Sequence, residues 1–449
     1  MRALARRVLR WVRGTSLHQS IFRTPPDDSS RGRALKGFGN VFLHIYPVRV
    51  PRALLRFGST WRMGFISAVL FGILFVTGVY LMFFYTPAIT MAYGDMQRIR
   101  TEVGFGQLIR NVHRWGAHLM VIAVVLHLVR VFLSGSYKAP RQFNWVIGVL
   151  LLVVTLAYSF TGYLLPWDQL AYWAVTVGSD LVAYVPVVGP DARAFLLGGN
   201  MIGQATLLRF YVIHVAVLTI AFFLLMAVHI WRVRKDGHSA GEEAGGVAEG
   251  EAGVDAGETA GGMEGDGDPA AARGASGSAR AAPESLREGE RVLGAVEVEG
   301  GTGRPRDPLG EVFTWPHLIV RHQVVALAVT ALVLALGIAF EAPLRELANP
   351  DMTPDPSKAP WYFVGIQELL AHFDPLVAGV LVPSVLVGAL LVLPWVDRNP
   401  SRRPEDRRVA KAVFWLVLGA FVVLTVVGAL FRGPGWGFVL PWVELHLEV

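Results

Sequence analysis

The chain has 449 residues, 53% of them hydrophobic and only 17% charged, with a formal net charge of +6. Its apolar residues come in blocks of about twenty, the length that crosses a bilayer core. That argues against a soluble globular enzyme, and the modest positive charge gives no reason to invoke nucleic acid. The absence of cysteine removes disulfides, cysteine-ligated iron–sulfur clusters and thioether-linked haem from the chain itself.

Residues 1–37 form an arm in which Arg alternates with Leu, Val and Trp from Met1 to Arg13. The arm reads as a basic amphipathic helix lying on a membrane surface, because it lacks the apolar h-region and small-residue cleavage site of a signal peptide. Seven apolar segments follow, at roughly 61–85, 111–133, 144–164, 211–232, 321–341, 376–395 and 410–431. The predicted fold class is therefore an all-α integral membrane protein. The first four segments fall within 38–236 and form a four-helix bundle; the last three fall within 310–449. Residues 237–309 between them are rich in Gly, Ala and Glu, with no apolar period, and read as a disordered linker that cannot bury enough surface to offset its ordering entropy.

Within the first segment Gly64 and Gly78 stand fourteen residues apart, and in the third Gly148 and Gly162 repeat that spacing. His113 and His127 occupy the second segment, also fourteen apart; His214 and His229 occupy the fourth, fifteen apart. At 1.5 Å per residue each pair spans about 21 Å and lies close to one helix face. If the seven helices alternate in direction, segments two and four run parallel. His113 then faces His214 near one membrane surface, and His127 faces His229 deeper in. The stretches from Pro166 to Gln204 and from Glu341 to Asp374 are too long for simple turns. Both hold Pro, Trp and Tyr, as interfacial helices roofing a site would.

Histidine inside a spanning helix is costly and usually functional. Zinc or copper would recruit a third protein ligand, and no Cys, Asp or Glu lies beside these four. Bis-histidine haem needs none, so the pattern predicts two stacked haem sites. The glycines, having no Cβ, would let a flat ligand approach the backbone at each level; small-residue helix packing is the alternative reading. Arg110 and Arg114 flank His113, and Arg130 sits one turn beyond His127, placed to pair with haem propionates or to snorkel to the interface. The Arg-rich arm, the exit Trp231-Arg-Val-Arg-Lys235 and the loop Asp397–Arg408 fall on one side, which the positive-inside rule makes cytoplasmic; Arg98, Arg100 and Arg110 fall on the other.

The runs Val112-His-Arg-Trp-Gly-Ala-His-Leu-Met120, Leu126-His-Leu-Val-Arg130, Thr161-Gly-Tyr-Leu-Leu-Pro-Trp-Asp-Gln169 and Arg209-Phe-Tyr-Val-Ile-His214, with His229, resemble cytochrome b of the cytochrome bc and b6f complexes. The resemblance covers nearly all of 38–236 and 310–440. The fifteen-residue spacing and the four-plus-three division look like the b6f type, with cytochrome b6 and subunit IV fused through the linker. The resemblance implies two non-covalent b-type haems, a low-potential one on His113 and His214 and a high-potential one on His127 and His229. It also implies quinol oxidation coupled to proton translocation. A Rieske iron–sulfur partner, cytochrome c or an equivalent acceptor, membrane lipid and a homodimer within a larger complex come with it. So does a bacterial cytoplasmic membrane, with the N-terminus and linker inside.

Two departures from the family stand out. Where the family has Pro-Glu-Trp-Tyr, this chain reads Lys358-Ala-Pro-Trp-Tyr362, so Pro360 replaces the proton-accepting glutamate beside Trp361 and Tyr362. With Tyr163 expected on the opposite wall of the quinol site, Glu368 is the candidate substitute base, backed by His372; both also fit as ordinary interfacial polar residues. Arg62 stands where b6 proteins carry the cysteine of an extra haem, so no covalently attached haem is expected. Arg234, Lys235 and Asp236 are the candidates for an inner quinone site, or plain surface charge. Two other functions compete: a di-haem anchor of a quinone-linked dehydrogenase, and a proton-relaying transporter without cofactor.

Overall fold

All seven apolar segments become helices long enough to span a membrane: α1 (Met63–Met82), α3 (Gly106–Leu133), α4 (Gln142–Leu164), α7 (Gln204–Asp236), α8 (Thr314–Ala339), α10 (Leu376–Val396) and α11 (Arg408–Leu430). Between them lie α2 (Ala92–Thr101), α5 (Gln169–Ala183), α6 (Gly189–Leu197) and α9 (Trp361–Leu370). The computed structural model describes residues 45–236, 311–354, 357–431 and 438. The expected arm at 1–37 and linker at 237–309 lie outside the described residues.

Three helices start earlier than their apolar runs, two of them where polar side chains are satisfied and the third behind a strand pair. On α3 the added turn carries Arg110, whose guanidinium donates to the carbonyls of Ala342 at 2.6 Å and Pro343 at 2.7 Å. Asn111 at the head of the run donates to the Gly337 carbonyl at 2.9 Å and accepts from the Ala342 amide at 2.9 Å. On α7, the Thr206 hydroxyl donates to Leu197 O at 2.7 Å while accepting from the Gly203 amide, a cap that begins the helix about two turns early. Helix α8 is led in by β2 (Glu311–Phe313), which pairs antiparallel with β1 (Arg49–Pro51), Val50 opposite Val312.

The core is a column through the bundle: Leu70 of α1, Val112, Met120 and Ala123 of α3, Ile147 and Leu151 of α4, Phe222 of α7 and Val333 of α8. Outward faces carry exposed apolar residues such as Val76, Leu327, Ile338 and Leu416, a surface suited to lipid and not to water. Helices α5, α6 and α9 are the interfacial elements expected in the two long loops. They cover one end of the bundle, where the loops clasp each other: Gln169 N donates to Glu346 O at 2.9 Å, and Trp173 Nε1 to Met352 O at 2.9 Å. At the opposite end the α3–α4 turn packs on α10 and α11 through Phe132, Tyr137, Trp145 and Phe414.

Candidate functional site

Under the roof, His113 and His214 border one cavity of about 280 Å³ together with Gly78 and Gly162. Both imidazoles are held from behind by the threonine preceding a glycine. Thr77 Oγ1 lies 2.9 Å from His113 Nδ1, and Thr161 Oγ1 lies 3.1 Å from His214 Nδ1. Each threonine also donates back to its own helix, to the carbonyls of Ile73 and Ala157. Each hydroxyl is thus anchored while it fixes the ring, leaving Nε2 for a ligand.

About four turns away, His127 and His229 face each other with ring centres 6.3 Å apart and planes at 86°. Metal–imidazole bonds near 2.0–2.1 Å, plus about 1.2 Å from ring nitrogen to ring centre, would put the centres of two rings sharing one metal at most about 6.4 Å apart. The separation of 6.3 Å fits such a shared site. His229 Nδ1 is buried, with the backbone carbonyl of Asn144 on α4 as its neighbouring acceptor.

The glycines fit the same scheme. A Cβ built at Gly64 would lie 3.2 Å from His127, at Gly78 3.3 Å from His113, at Gly148 3.5 Å from His229 and at Gly162 2.6 Å from His214. Each glycine of α1 therefore stands level with a histidine of α3, and each glycine of α4 with one of α7. Among the described residues no group of three His, Cys, Asp or Glu could hold a bare metal ion. The donor set, two imidazoles per site in an apolar shell, is that of a metal whose remaining ligands come from a macrocycle. The residues fit haem.

The unequal spacings have a backbone cause. Fourteen residues of regular helix fall about 40° short of four turns, whereas fifteen overshoot by about 60°. Residues Ile213–Val217 of α7 form a π-turn at His214, which absorbs one extra residue. Thr219 Oγ1 donates to the loosened His214 carbonyl at 3.4 Å and is itself held by the Tyr158 hydroxyl at 2.7 Å. The fifteenth residue is taken up there, and His214 keeps the phase of a fourteen-residue repeat.

The cavity extends from the upper histidine pair to the roof, where it is bordered by Arg114, His118, Tyr163, Asp168 and Tyr362. The Arg114 guanidinium sits 5.2 Å from the centre of the Tyr163 ring, and its Nε is buried without a partner. Arg110 also reaches the cavity, but its guanidinium donates to the carbonyls of Ala342 (2.6 Å) and Pro343 (2.7 Å), tying α3 to the second half. Asp168 caps α5 through the Ala171 amide at 2.9 Å and accepts from the Arg345 amide at 3.1 Å. Burial pushes its carboxyl above its ordinary range, against the pull of those two bonds and of Arg114 and Arg110. Burial likewise raises the Tyr362 phenol.

Other predicted residues lie off the cavity wall. Pro360 is the N-cap of α9, and Trp361 donates to His118 Nδ1 at 2.9 Å. Glu368 is 2% exposed, packed beside Gly428 of α11, with Oε1 3.0 Å from Nε2 of the half-exposed His372. Arg130 is half-buried on α3. At the end of α7 Asp236 pairs with Arg232 at 2.9 Å, its carbonyl accepts from Arg141, Lys235 lies over Trp231, and Arg234 is half-buried. Sequence reasoning missed Thr77, Thr161 and His118. The first two carried a signal, a Thr-Gly step repeated before the roof-side glycine of each pair; the third was a further histidine in a spanning helix.

Residues 50–237 match the family Cytochrome b/b6/petB, and residues 347–443 match Cytochrome b(C-terminal)/b6/petD. Cytochrome b6 of Prochlorococcus marinus (strain MIT 9211) is 48% identical over 179 residues, which is 39% of this chain and 81% of that protein. Cytochrome b6 of Acaryochloris marina (strain MBIC 11017) is 45% identical over 177 residues, 39% of this chain and 82% of that one. A solved structure titled "Hyperthermophilic respiratory Complex III" shares the fold, with a TM-score of 0.65 at 21% identity over 95% of this chain and 93% of that chain. The chain therefore belongs to the cytochrome b family of the bc and b6f complexes, a multi-pass membrane subunit in which the b6-like and petD-like parts are joined in one polypeptide.

Proposed function

We propose that this chain is the cytochrome b subunit of a quinol-oxidising, proton-translocating complex, with a Rieske iron–sulfur protein and cytochrome c or an equivalent acceptor as partners and a homodimer as the assembled form. One observation carries the reading: a single cavity joins the upper histidine pair to a roof built from both halves, with Tyr163 of the first and Tyr362 of the second on its walls. Two non-covalent b-type haems, on His113/His214 and His127/His229, would supply one-electron carriers across the membrane while the quinol's other electron goes to the Rieske partner. A dehydrogenase anchor has no use for a roof and second wall of this kind.

The chain's own residues have separable tasks. Thr77 and Thr161 orient the upper imidazoles. Arg114, charged and half-engaged with Tyr163, is placed for a carboxylate of the upper haem, and Arg130 for one of the lower. Tyr163 and Tyr362 shape the quinol site and exclude water. With Pro360 offering no base, the proton acceptor is Glu368, buried beside Gly428 of α11 and joined to the half-exposed His372. Arg234, Lys235 and Asp236 serve the quinone site at the opposite face, where the N-terminus and the 237–309 linker also lie, in the bacterial cytoplasm. Glu368→Gln should slow quinol oxidation by the purified complex at least tenfold, as loss of a general base does, with both haem bands intact. Unchanged turnover removes Glu368 from the route. Failure of the unmodified complex to oxidise any quinol removes the function.

A further inference from the structure

His118 sits on α3 five residues beyond His113, facing the roof-side part of the cavity with Tyr163 and Tyr362. Its ring is wedged between Trp115, with ring centres 5.5 Å apart, and Tyr362, at 5.8 Å. Trp361 Nε1 donates to its Nδ1 at 2.9 Å, across 243 residues of sequence and between the two halves of the chain. An indole N–H can only donate, so Nδ1 must carry the lone pair, and the neutral ring holds its proton on Nε2. Among the described residues no hydrogen bond from Nε2 is made, and His118 lines the cavity. A fixed N–H in a largely apolar void is costly to leave unmade, and its complement is a ligand oxygen.

We propose that His118 is a substrate-positioning residue: Trp361 locks the imidazole in its Nε2–H form, and that N–H donates to a ring oxygen of the bound quinol or quinone. The proposal rests on the quinol-site reading above. It also assigns a limit. Taking a proton at Nδ1 would break the Trp361 bond, so His118 holds the substrate and does not serve as its base. The residue is the first-half counterpart of Tyr362, and the Trp361 bond is where the second half sets the first half's hydrogen-bonding pattern.

The test is equilibrium binding of an alkyl hydroxynaphthoquinone to the purified complex in its oxidised form, with the reduced haem spectrum and redox titration as controls. His118→Phe keeps a ring and removes the donor; its Kd should rise about tenfold, the worth of one neutral hydrogen bond in a dry site. His118→Gln, whose amide N–H falls near the Nε2 position, should recover most of that. For quinol turnover the loss should appear mainly in KM. Trp361→Phe leaves His118 in place with a freed tautomer and should weaken binding about threefold. An unchanged Kd in Trp361→Phe overturns the proposal even if His118→Phe does not assemble. An unchanged Kd in His118→Phe, or a shift in the upper haem's potential without weaker binding, also overturns it, the latter by giving the N–H to the haem. A complex that keeps both haems but binds no quinone analogue in unmodified form overturns the quinol-site reading itself.

Discussion

Gly162 and Gly148 occupy equivalent places on α4, yet their side-chain space differs. A Cβ at Gly162 would stand 2.6 Å from His214, well inside contact distance, whereas one at Gly148 would stand 3.5 Å from His229, an ordinary contact. Gly162→Ala must therefore displace a histidine ring that Thr161 holds from the other side, at a cost of about 1–3 kcal/mol for forced overpacking. The expected outcome is loss of the upper haem's absorbance in Gly162→Ala and retention of both haems in Gly148→Ala, read from reduced-minus-oxidised spectra of the two variants. Equal spectra would show that the glycine spacing serves helix packing alone. At this scale the four histidines and four glycines were legible in the sequence because period alone reveals them. The Thr–His bonds were not, since they join neighbouring helices through side-chain geometry. The Trp361–His118 bond was further still from view, its partners lying in different halves of the chain. Glu368 was found as a residue but not as a neighbour: the wall of α9 that faces Tyr163 carries Tyr362, and Glu368 turns towards α11.

Helix by helix, hydropathy sufficed to find the seven spans among the described residues, because twenty apolar residues are a strong signal. The ends were missed where polar side chains extend a helix, as with Arg110 on α3 and Thr206 on α7. The short α2 was missed because four of its ten residues are charged or amide-bearing (Asp95, Gln97, Arg98, Arg100) and no apolar run marks it. The π-turn of α7 was invisible too, although the fifteen-residue spacing was its trace. That turn makes a sharp prediction. Deleting Ala216 should collapse Ile213–Val217 to regular helix, leave His214 and His229 fourteen residues apart, and preserve both haems. Deleting Val124 from the regular stretch of α3 should rotate His113 about 100° away from His127 and cost one haem. Haem content per chain decides it; loss of a haem in both deletions would mean that the π-turn is not the spacer.

Across the whole molecule, the two halves are held together by structure and not only by the chain between them. Strand β1 pairs with β2, α8 packs on α1 and α3, and Arg110 grips the Ala342 and Pro343 carbonyls. At the opposite end Asp397 accepts from Tyr137 and pairs with Lys138 at 3.1 Å, while the fully buried Arg407 donates twice to the Phe132 carbonyl and lies over the Phe132 and Tyr137 rings. A protease site engineered into 237–309 should therefore give two fragments that copurify with both haems after cutting. Acid should loosen them. Burial alone would raise the Asp397 carboxyl, but the bonds from Tyr137 and Lys138 outweigh it and hold it below its ordinary value of 3.8. Its contribution is thus complete above pH 3.8 and is lost as pH falls through the lowered pKa. Fragments that separate at pH 7 would contradict this view of the clamp. The central claim, that four histidines on two parallel helices hold two haems without a covalent link, is tested most directly by haem quantitation with redox titration of the purified complex. The account predicts two extractable b-type haems on this chain, titrating as two one-electron steps at different potentials. One haem or none, or haem that stays with the polypeptide after acid–acetone extraction, would contradict it.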